Sequence, residues 1–218
     1  MDSMGFFITF EGIEGCGKST QVKLLSEALN LEGFPCIATR EPGGTYIGSK
    51  IREILLNPDH KGIAPQTELL LYAADRAQHI IELIKPALND GKVVICDRFT
   101  DATVAYQGFG RRLDSSLINK LNEIASQGLR PGLTVLLDCP VKIGIKRAME
   151  RNSKNRDVKD DRFEQEAMEF HDMVRNGYLA IAKEEPERVK VVDAARDIQS
   201  MRGEIWGIVD AFLRNNRT

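Results

Sequence analysis

The sequence predicts an α/β fold, a parallel five-stranded sheet with helices on both faces, in a single domain over residues 1–218. Three observations carry this. Short β-rich runs alternate with longer helical patterns along the chain. The run "VVICD" at 93–97 is continuously apolar, as expected of a strand covered on both faces. The first strand-like run leads directly into a glycine-rich turn and then a helix. A chain of 218 residues suits one sizeable domain, or one domain carrying an inserted lid.

Taken in order, "FFITF" at 6–10 reads as the first strand, and 19–32 as a helix stopped by Gly33. "CIATR" at 36–40 is the second strand, followed by the turn-rich "EPGGT" and a short helix over 46–56. A long helix spans 65–89, ended by "DG" at 90–91. The strand at 93–97 follows, then a helix near 115–126, the strand "TVLLD" at 134–138 and a helix over 141–151. A charged stretch leads into a helix from about 163 to 184. "VKVVD" at 189–193 is the last strand and 198–215 the last helix. Ligands of such sheets bind beyond the carboxyl ends of the strands.

At 42% apolar and 28% charged, with net charge −2, the composition is that of an ordinary soluble globular protein and does not mark the surface as a nucleic-acid or membrane binder. No run approaches membrane-spanning length, and the N-terminal stretch lacks the basic, apolar and cleavage segments of a secretory signal. Cys16, Cys36, Cys96 and Cys139 form no CxxC pair, which argues against zinc. Three of them lie in or beside strand-like runs. Reduced, buried thiols and a cytoplasmic location are the simple reading.

Gly12-Ile13-Glu14-Gly15-Cys16-Gly17-Lys18-Ser19 matches the phosphate-loop pattern G-x-x-x-x-G-K-S/T in full, and Thr20 follows. The glycines let successive N–H groups turn inward around phosphate oxygens, and the helix N-terminus adds its positive dipole end. Lys18 is suited to bridge the terminal phosphates of ATP, and the Ser19 hydroxyl to ligate Mg²⁺. The alternative is a glycine turn that merely starts a helix. A guanine-binding N-K-x-D segment is missing: Asn119-Lys120 is followed by Asn122 where aspartate belongs. The third strand ends in Asp97-Arg98 rather than in the Asp-Glu pair that primes water for hydrolysis. A cation there suits a second anionic substrate, with Asp97 as a further metal ligand. A strand-end ion pair is the competing interpretation of Asp97 and Arg98.

The segment from Asp97 to Gly108, "DRFTDATVAYQG", resembles the D-R-Y/F-x-x-S-x-x-A-Y-Q-G block of bacterial thymidylate kinases. "FEGIEGCGKST" at 10–20, "TREPGGT" at 39–45 with Ile51-Arg52 after it, and "LLYAADRAQH" at 70–79 resemble the same family, in the same order and spacing, from about Phe6 to Glu166. The resemblance implies a phosphate-loop fold of the nucleoside-monophosphate-kinase type, transfer of the ATP γ-phosphoryl group to dTMP, Mg²⁺ as cofactor, and a homodimer. A kinase for another nucleoside monophosphate, or a non-catalytic ATP-dependent regulatory module, is the alternative.

On the long helix, Leu70, Ala74, Ala77, Ile81, Ile84 and Leu88 form an apolar stripe for a core or a dimer partner. Tyr72 and Arg76 lie roughly opposite, one turn apart. The resemblance gives Tyr72, where the family usually has Phe, the thymine face, and gives Arg76 its O4; without it, a surface Tyr–Arg pair would serve as well. Arg52 and Arg98 resemble the arginines that hold the acceptor phosphate, for which a planar fork is suited. Glu41 resembles a residue beside the acceptor, although a salt bridge to Arg40 or Arg52 is the plainer assignment. Thr103, Tyr106 and Gln107 match positions in the acceptor block that approach base or sugar. Ala102 replaces the common serine and loses a hydroxyl, and Gly132 stands where the family often has Asp.

Between Arg147 and Arg162 lie six basic residues, Arg147, Arg151, Lys154, Arg156, Lys159 and Arg162, mixed with four acidic ones. A solvated charged loop is one reading. A lid at about 147–163 is the other, because phosphoryl transfer needs cations on its equatorial oxygens; with no arginine in its phosphate loop, the chain resembles the thymidylate kinases whose catalytic arginine comes from the lid. Arg151 is then the first candidate for a catalytic arginine and Arg156 the second. Glu14 puts a carboxylate in an anion-binding loop. Pointed away from the cradle it would meet the acceptor, where the family's loop carboxylate approaches the deoxyribose 3′-hydroxyl; otherwise it faces solvent and tunes the field.

Overall fold

The computed structural model describes residues 5–60, 62–154 and 162–216. Five strands, β1 (Phe7–Glu11), β2 (Cys36–Arg40), β3 (Val93–Asp97), β4 (Leu133–Asp138) and β5 (Val189–Asp193), form one sheet in the order β2-β3-β1-β4-β5. Every neighbouring pair is parallel. The helices are α1 (Lys18–Leu31), α2 (Tyr46–Leu56), α3 (65–89), α4 (100–110), α5 (Ser115–Ser126), α6 (Val141–Lys154), α7 (Met168–Glu184) and α8 (Ile198–Asn216).

Register levels the carboxyl ends of the strands. Phe10 of β1 and Arg40 of β2 both stand beside Asp97 of β3, and Glu11 stands beside Leu136 of β4. The chain leaves β1 toward β2 and leaves β3 toward β4, on opposite sides of the sheet's centre. Right-handed crossovers then place the following helices on opposite faces, so the crevice opens between β1 and β3. Alternation along β1 completes the arrangement. Ile8 and Phe10 are fully buried on one face. Thr9 and Glu11 point to the other, where Thr9 meets Thr134 at 2.7 Å and Glu11 meets Tyr178 of α7 and the N–H of Phe99. That second face is a buried polar layer, covered by the packed pair α4 and α7, while α1 packs on α8.

Three elements depart from the expected pattern. The helix α4 over 100–110 has no counterpart in the sequence reading; its second part, Val104–Gly110, is π-helical. The long helix α3 runs as expected but passes through a π-helical turn at Ile80–Ile84. The helix expected from about 163 starts at Met168, and Arg162 to Glu166 form turns before it.

The apolar stripe of α3, expected for a core or a dimer partner, is split between buried and exposed positions. Ile84 and Leu88 are buried, whereas Leu70, Ala74 and Ile81 are exposed, so the first half of the stripe does not face the core. The same helix turns Glu68, Asp75, Arg76 and His79 inward instead. All four cysteines are free thiols, with Cys16, Cys96 and Cys139 buried. No helix among the described residues is long and apolar enough to cross a membrane.

Candidate functional site

The phosphate loop connects β1 to α1. Gly15 has φ +69°, and a Cβ there would lie 1.9 Å from the Gly144 carbonyl of α6, so the loop can pass this close to α6 only with glycine. The Lys18 ammonium donates to the carbonyls of Gly12 and Ile13, each at 2.9 Å, and so holds the loop's curvature. The Ser19 hydroxyl donates to Asp97 Oδ2 at 2.7 Å. The expected pair of hard oxygen donors is therefore adjacent across the β1–β3 crevice.

Among the described residues, two cavities are walled by Gly15, Lys18 and Ser19 of this loop. The larger, about 700 Å³, is walled by Gly15 to Gln21, Arg147, Arg151 and the segment from Arg196 to Gln199. Arg147 is fixed there by donating to the Ala194 carbonyl at 2.8 Å. The sequence reading did not assign the 196–199 segment, which carries no motif of its own. The second cavity, about 160 Å³, contains Glu14, Glu41, Arg52, Tyr72, Arg76, Arg98, Thr103, Tyr106 and Gln107, so every residue expected at the acceptor lines one space. Ala102 lines it too, where a serine would have added a hydroxyl. Gly15, Lys18, Ser19 and Arg151 border both cavities.

Acceptor-side charges are held by one another. Arg98 follows β3 with φ 75°, a left-handed backbone that is costly for a side-chain-bearing residue. Its Nη2 donates to Glu14 Oε1 at 3.0 Å, its Nη1 donates to the Tyr178 hydroxyl at 3.2 Å, and its guanidinium lies over the Tyr106 ring at 4.7 Å. The Tyr106 hydroxyl donates to the same Glu14 oxygen at 2.6 Å. Burial works to raise the Glu14 pKa, but Arg98, His171 and Lys18 outweigh it and hold the carboxyl well below its ordinary range. Glu14 thus points away from the loop's N–H cradle, into the acceptor cavity. Beneath it, burial reinforced by Asp101 lifts the Glu11 carboxyl to about 8, against Arg98, Tyr178 and the Phe99 N–H.

Arg76 is 1% exposed and largely committed. It donates to Glu41 at 2.9 Å, Thr103 at 3.1 Å, Asn122 at 2.9 Å and the Phe99 carbonyl at 2.8 Å. Those bonds use four of the five guanidinium N–H donors, so a single one is left for the cavity. Glu41 is held by Arg76 and by His79 Nδ1 at 3.0 Å. Glu41, His79 and Cys96 bring ligating atoms within 4.8 Å, yet the Arg76 guanidinium alongside repels a cation, and His79 and Cys96 are already bonded to Thr39 and to the Arg98 carbonyl.

The basic stretch divides by role. Arg151 borders both cavities and pairs with Glu164 at 3.0 Å. Arg162 is buried and donates to Glu68 at 2.6 Å and to the Leu55 carbonyl, which makes it an anchor and not a mobile cation. Glu68 also accepts from Gln107 and Arg111, and these partners overcome burial to hold its pKa low. Arg156 and Lys159 lie at 155–161, outside the described residues, as does the middle of the expected lid. Asn122, His171 and Tyr178 each contact a site residue, and no local pattern in the sequence singles them out.

A central phosphate loop, a sheet in this order, and two cavities sharing that loop define a phosphate-loop kinase of the nucleoside-monophosphate type. Residues 10–205 match the family described as Thymidylate kinase. The thymidylate kinase of Geotalea uraniireducens is 54% identical over 210 residues, covering 96% of this chain and 99% of that protein. That of Geobacter sulfurreducens is 52% identical over 197 residues, covering 90% and 92%. A crystal structure of thymidylate kinase from Ehrlichia chaffeensis superposes with TM-score 0.75 at 35% identity, covering 95% of this chain and 99% of that one. The chain belongs to the thymidylate kinase family.

Proposed function

We propose that the chain transfers the γ-phosphoryl group of ATP to dTMP, giving dTDP and ADP, a step of dTTP synthesis. The observation that carries this is the common wall of the two cavities: Gly15, Lys18, Ser19 and Arg151 border both, so two nucleotides would meet phosphate to phosphate there. An oxygen of the acceptor phosphate attacks the γ-phosphorus, the bond to the β–γ bridging oxygen breaks, and the charge passes to ADP.

In this reading the backbone and side chains from Gly12 to Thr20 hold the ATP phosphates. Lys18, Arg98 and Arg151, with Arg156 as the second lid candidate, balance charge on the transferring group. Arg52 and Arg98 grip the acceptor phosphate. Tyr72 stacks on thymine, and the remaining Arg76 donor meets O4. Thr103, Tyr106 and Gln107 complete the nucleoside pocket, Glu41 fixes Arg76, and Glu14 accepts from the 3′-hydroxyl. Ser19 Oγ and Asp97 Oδ2, 2.7 Å apart, are the hard oxygen donors that Mg²⁺ prefers. Bound there, the ion would offset charge between the β- and γ-phosphates. Residues 147–163 form the lid in this reading, excluding water from ATP.

A homodimer is the proposed assembly. Ile47 and Ile54 of α2, Leu70 and Ile81 of α3, and Leu117 and Ile124 of α5 are exposed apolar residues on α3 and the two helices that pack against it. The free thiols suit a reducing cytoplasm. Neither nucleic acid nor membrane is a proposed partner.

The test is kcat/KM for dTMP, dUMP and dCMP in an ADP-release assay. Thymine presents an acceptor at O4, whereas cytosine presents an amino donor that would face the Arg76 donor. dUMP, lacking only the methyl, should fall about 10–200-fold, and dCMP roughly 10⁴-fold. Equal use of dTMP and dCMP would overturn the assignment.

A further inference from the structure

Two unpaired buried groups face each other behind the acceptor cavity. His171 of α7 is 0% exposed, and neither ring nitrogen has a hydrogen-bond partner among the described residues. Glu14 Oε2 is likewise buried and unpartnered. His171 Nδ1 lies 3.5 Å from that oxygen, just beyond an ordinary hydrogen bond. The other oxygen, Oε1, is already held by Arg98 and Tyr106. Buried polar atoms left unpaired are costly, and a small ring rotation would pair Nδ1 with Oε2.

The helix supports this pairing independently. Tyr178 lies two turns beyond His171 on the same side of α7, and its hydroxyl donates to Glu11 at 2.8 Å and accepts from Arg98 at 3.2 Å. One face of α7 thus reaches both members of the Arg98–Glu14 pair. The Phe170 ring, edge-on to the imidazole at 5.7 Å, confines it.

We propose that His171 is a positioning residue: its Nδ1–H donates to Glu14 Oε2 and aims the carboxylate at the acceptor sugar. The imidazole touches neither nucleotide. When the acceptor phosphate draws on Arg98, Glu14 loses part of its hold on one oxygen, and His171 keeps the other in place. This rests on the proposed contact between Glu14 and the 3′-hydroxyl.

The experiment compares dTMP with its 3′-deoxy analogue for wild type, Glu14→Ala, His171→Leu, His171→Asn and the double variant Glu14→Ala/His171→Leu. Leucine keeps bulk and removes the donor; asparagine returns an N–H near the Nδ1 position. His171→Leu should raise KM for dTMP about tenfold, with kcat and the 3′-deoxy analogue little changed, and His171→Asn should recover most of the loss. The double variant should be no worse than Glu14→Ala. Additive losses, asparagine no better than leucine, or equal losses on both nucleotides while Glu14→Ala stays selective would each overturn the proposal. If Glu14→Ala itself hurts both nucleotides equally, the sugar contact fails, and non-additivity alone decides whether His171 works through Glu14. Should the leucine variant not fold, the imidazole ¹⁵N shifts of His171 in Glu14→Gln decide: a change from wild type supports the pairing, and unchanged shifts overturn it.

Discussion

On the proposed donor side, eight consecutive residues from Gly12 to Ser19 form the whole of the phosphate-loop pattern. On the acceptor side, Glu14, Arg52, Tyr72, Arg76, Arg98 and Tyr106 come from the loop, α2, α3, the end of β3 and α4. The donor loop is shaped by conformation, with Gly12, Gly15 and Gly17 all at positive φ. The acceptor cavity is shaped by buried charges that neutralise one another: Arg98 with Glu14, Arg76 with Glu41, Arg162 with Glu68. A site made of backbone can lose a side chain and keep its form. A site made of paired charges cannot, because the abandoned partner stays buried.

Substituting one cation on each side sharpens this difference most. Lys18→Ala should lower kcat about 10²–10³-fold at a smaller cost in stability than the loss of Arg98, since Lys18 bonds to neutral loop carbonyls and its removal breaks no hydrogen-bonded ion pair. Arg98→Ala should also destroy activity, and in addition cost about 3–5 kcal/mol of stability by stranding Glu14. Equal unfolding temperatures for the two variants would erase the distinction.

Arg151 stands on the border and is half-exposed, so its loss should be the cleaner kinetic lesion. Arg151→Ala should reduce kcat roughly 10–100-fold with little change in KM for dTMP, as expected for contacts that strengthen in the transition state. An unchanged kcat would move the role to Arg156.

The smallest effect is a pH slope beneath the acceptor cavity. The Glu11 carboxyl is lifted from 4.5 to about 8, so the folded chain holds this proton more tightly than the unfolded chain. Its contribution to stability therefore falls as pH rises from about 4.5 toward 8, by at most about 1.4 kcal/mol per pH unit. Glu14 and Glu68, held low, contribute the opposite way: their stabilisation is present at neutral pH and is lost on acidification. Between pH 6 and 8, wild type should lose more stability than Glu11→Gln; parallel curves would show that Glu11 is ionised throughout.

The same contrast decides what could be read in advance. All five strands and the phosphate loop were legible, because strand patterns and the G-x-x-x-x-G-K-S run are local. Helix α4 was not: "TDATVAYQGFG" mixes β-branched residues, aromatics and glycines, all weak helix formers. Packing on α7 sustains it, with Gly110 so close that a Cβ would lie 2.6 Å from the Phe170 ring. Periodicity found the apolar stripe of α3 without saying that half of it faces outward, since the inward side is spent on Glu68, Asp75, Arg76 and His79. Asn122 and His171 are single residues brought to the site from afar, and nothing nearby in sequence distinguishes them from surface amides and imidazoles.

The grip of Glu14 on Arg98 has a consequence for what may enter. An incoming ligand must draw this guanidinium from a carboxylate already 3.0 Å away. A doubly ionised phosphate presents more negative charge than the carboxylate and competes for it. A free nucleoside brings no charge, and a singly ionised phosphate merely equals what is in place. Phosphomonoesters acquire their second charge above about pH 6. If Arg98 grips the acceptor phosphate as proposed, the ion pair would act as a threshold, favouring acceptors by the number of charges they carry before the base is read.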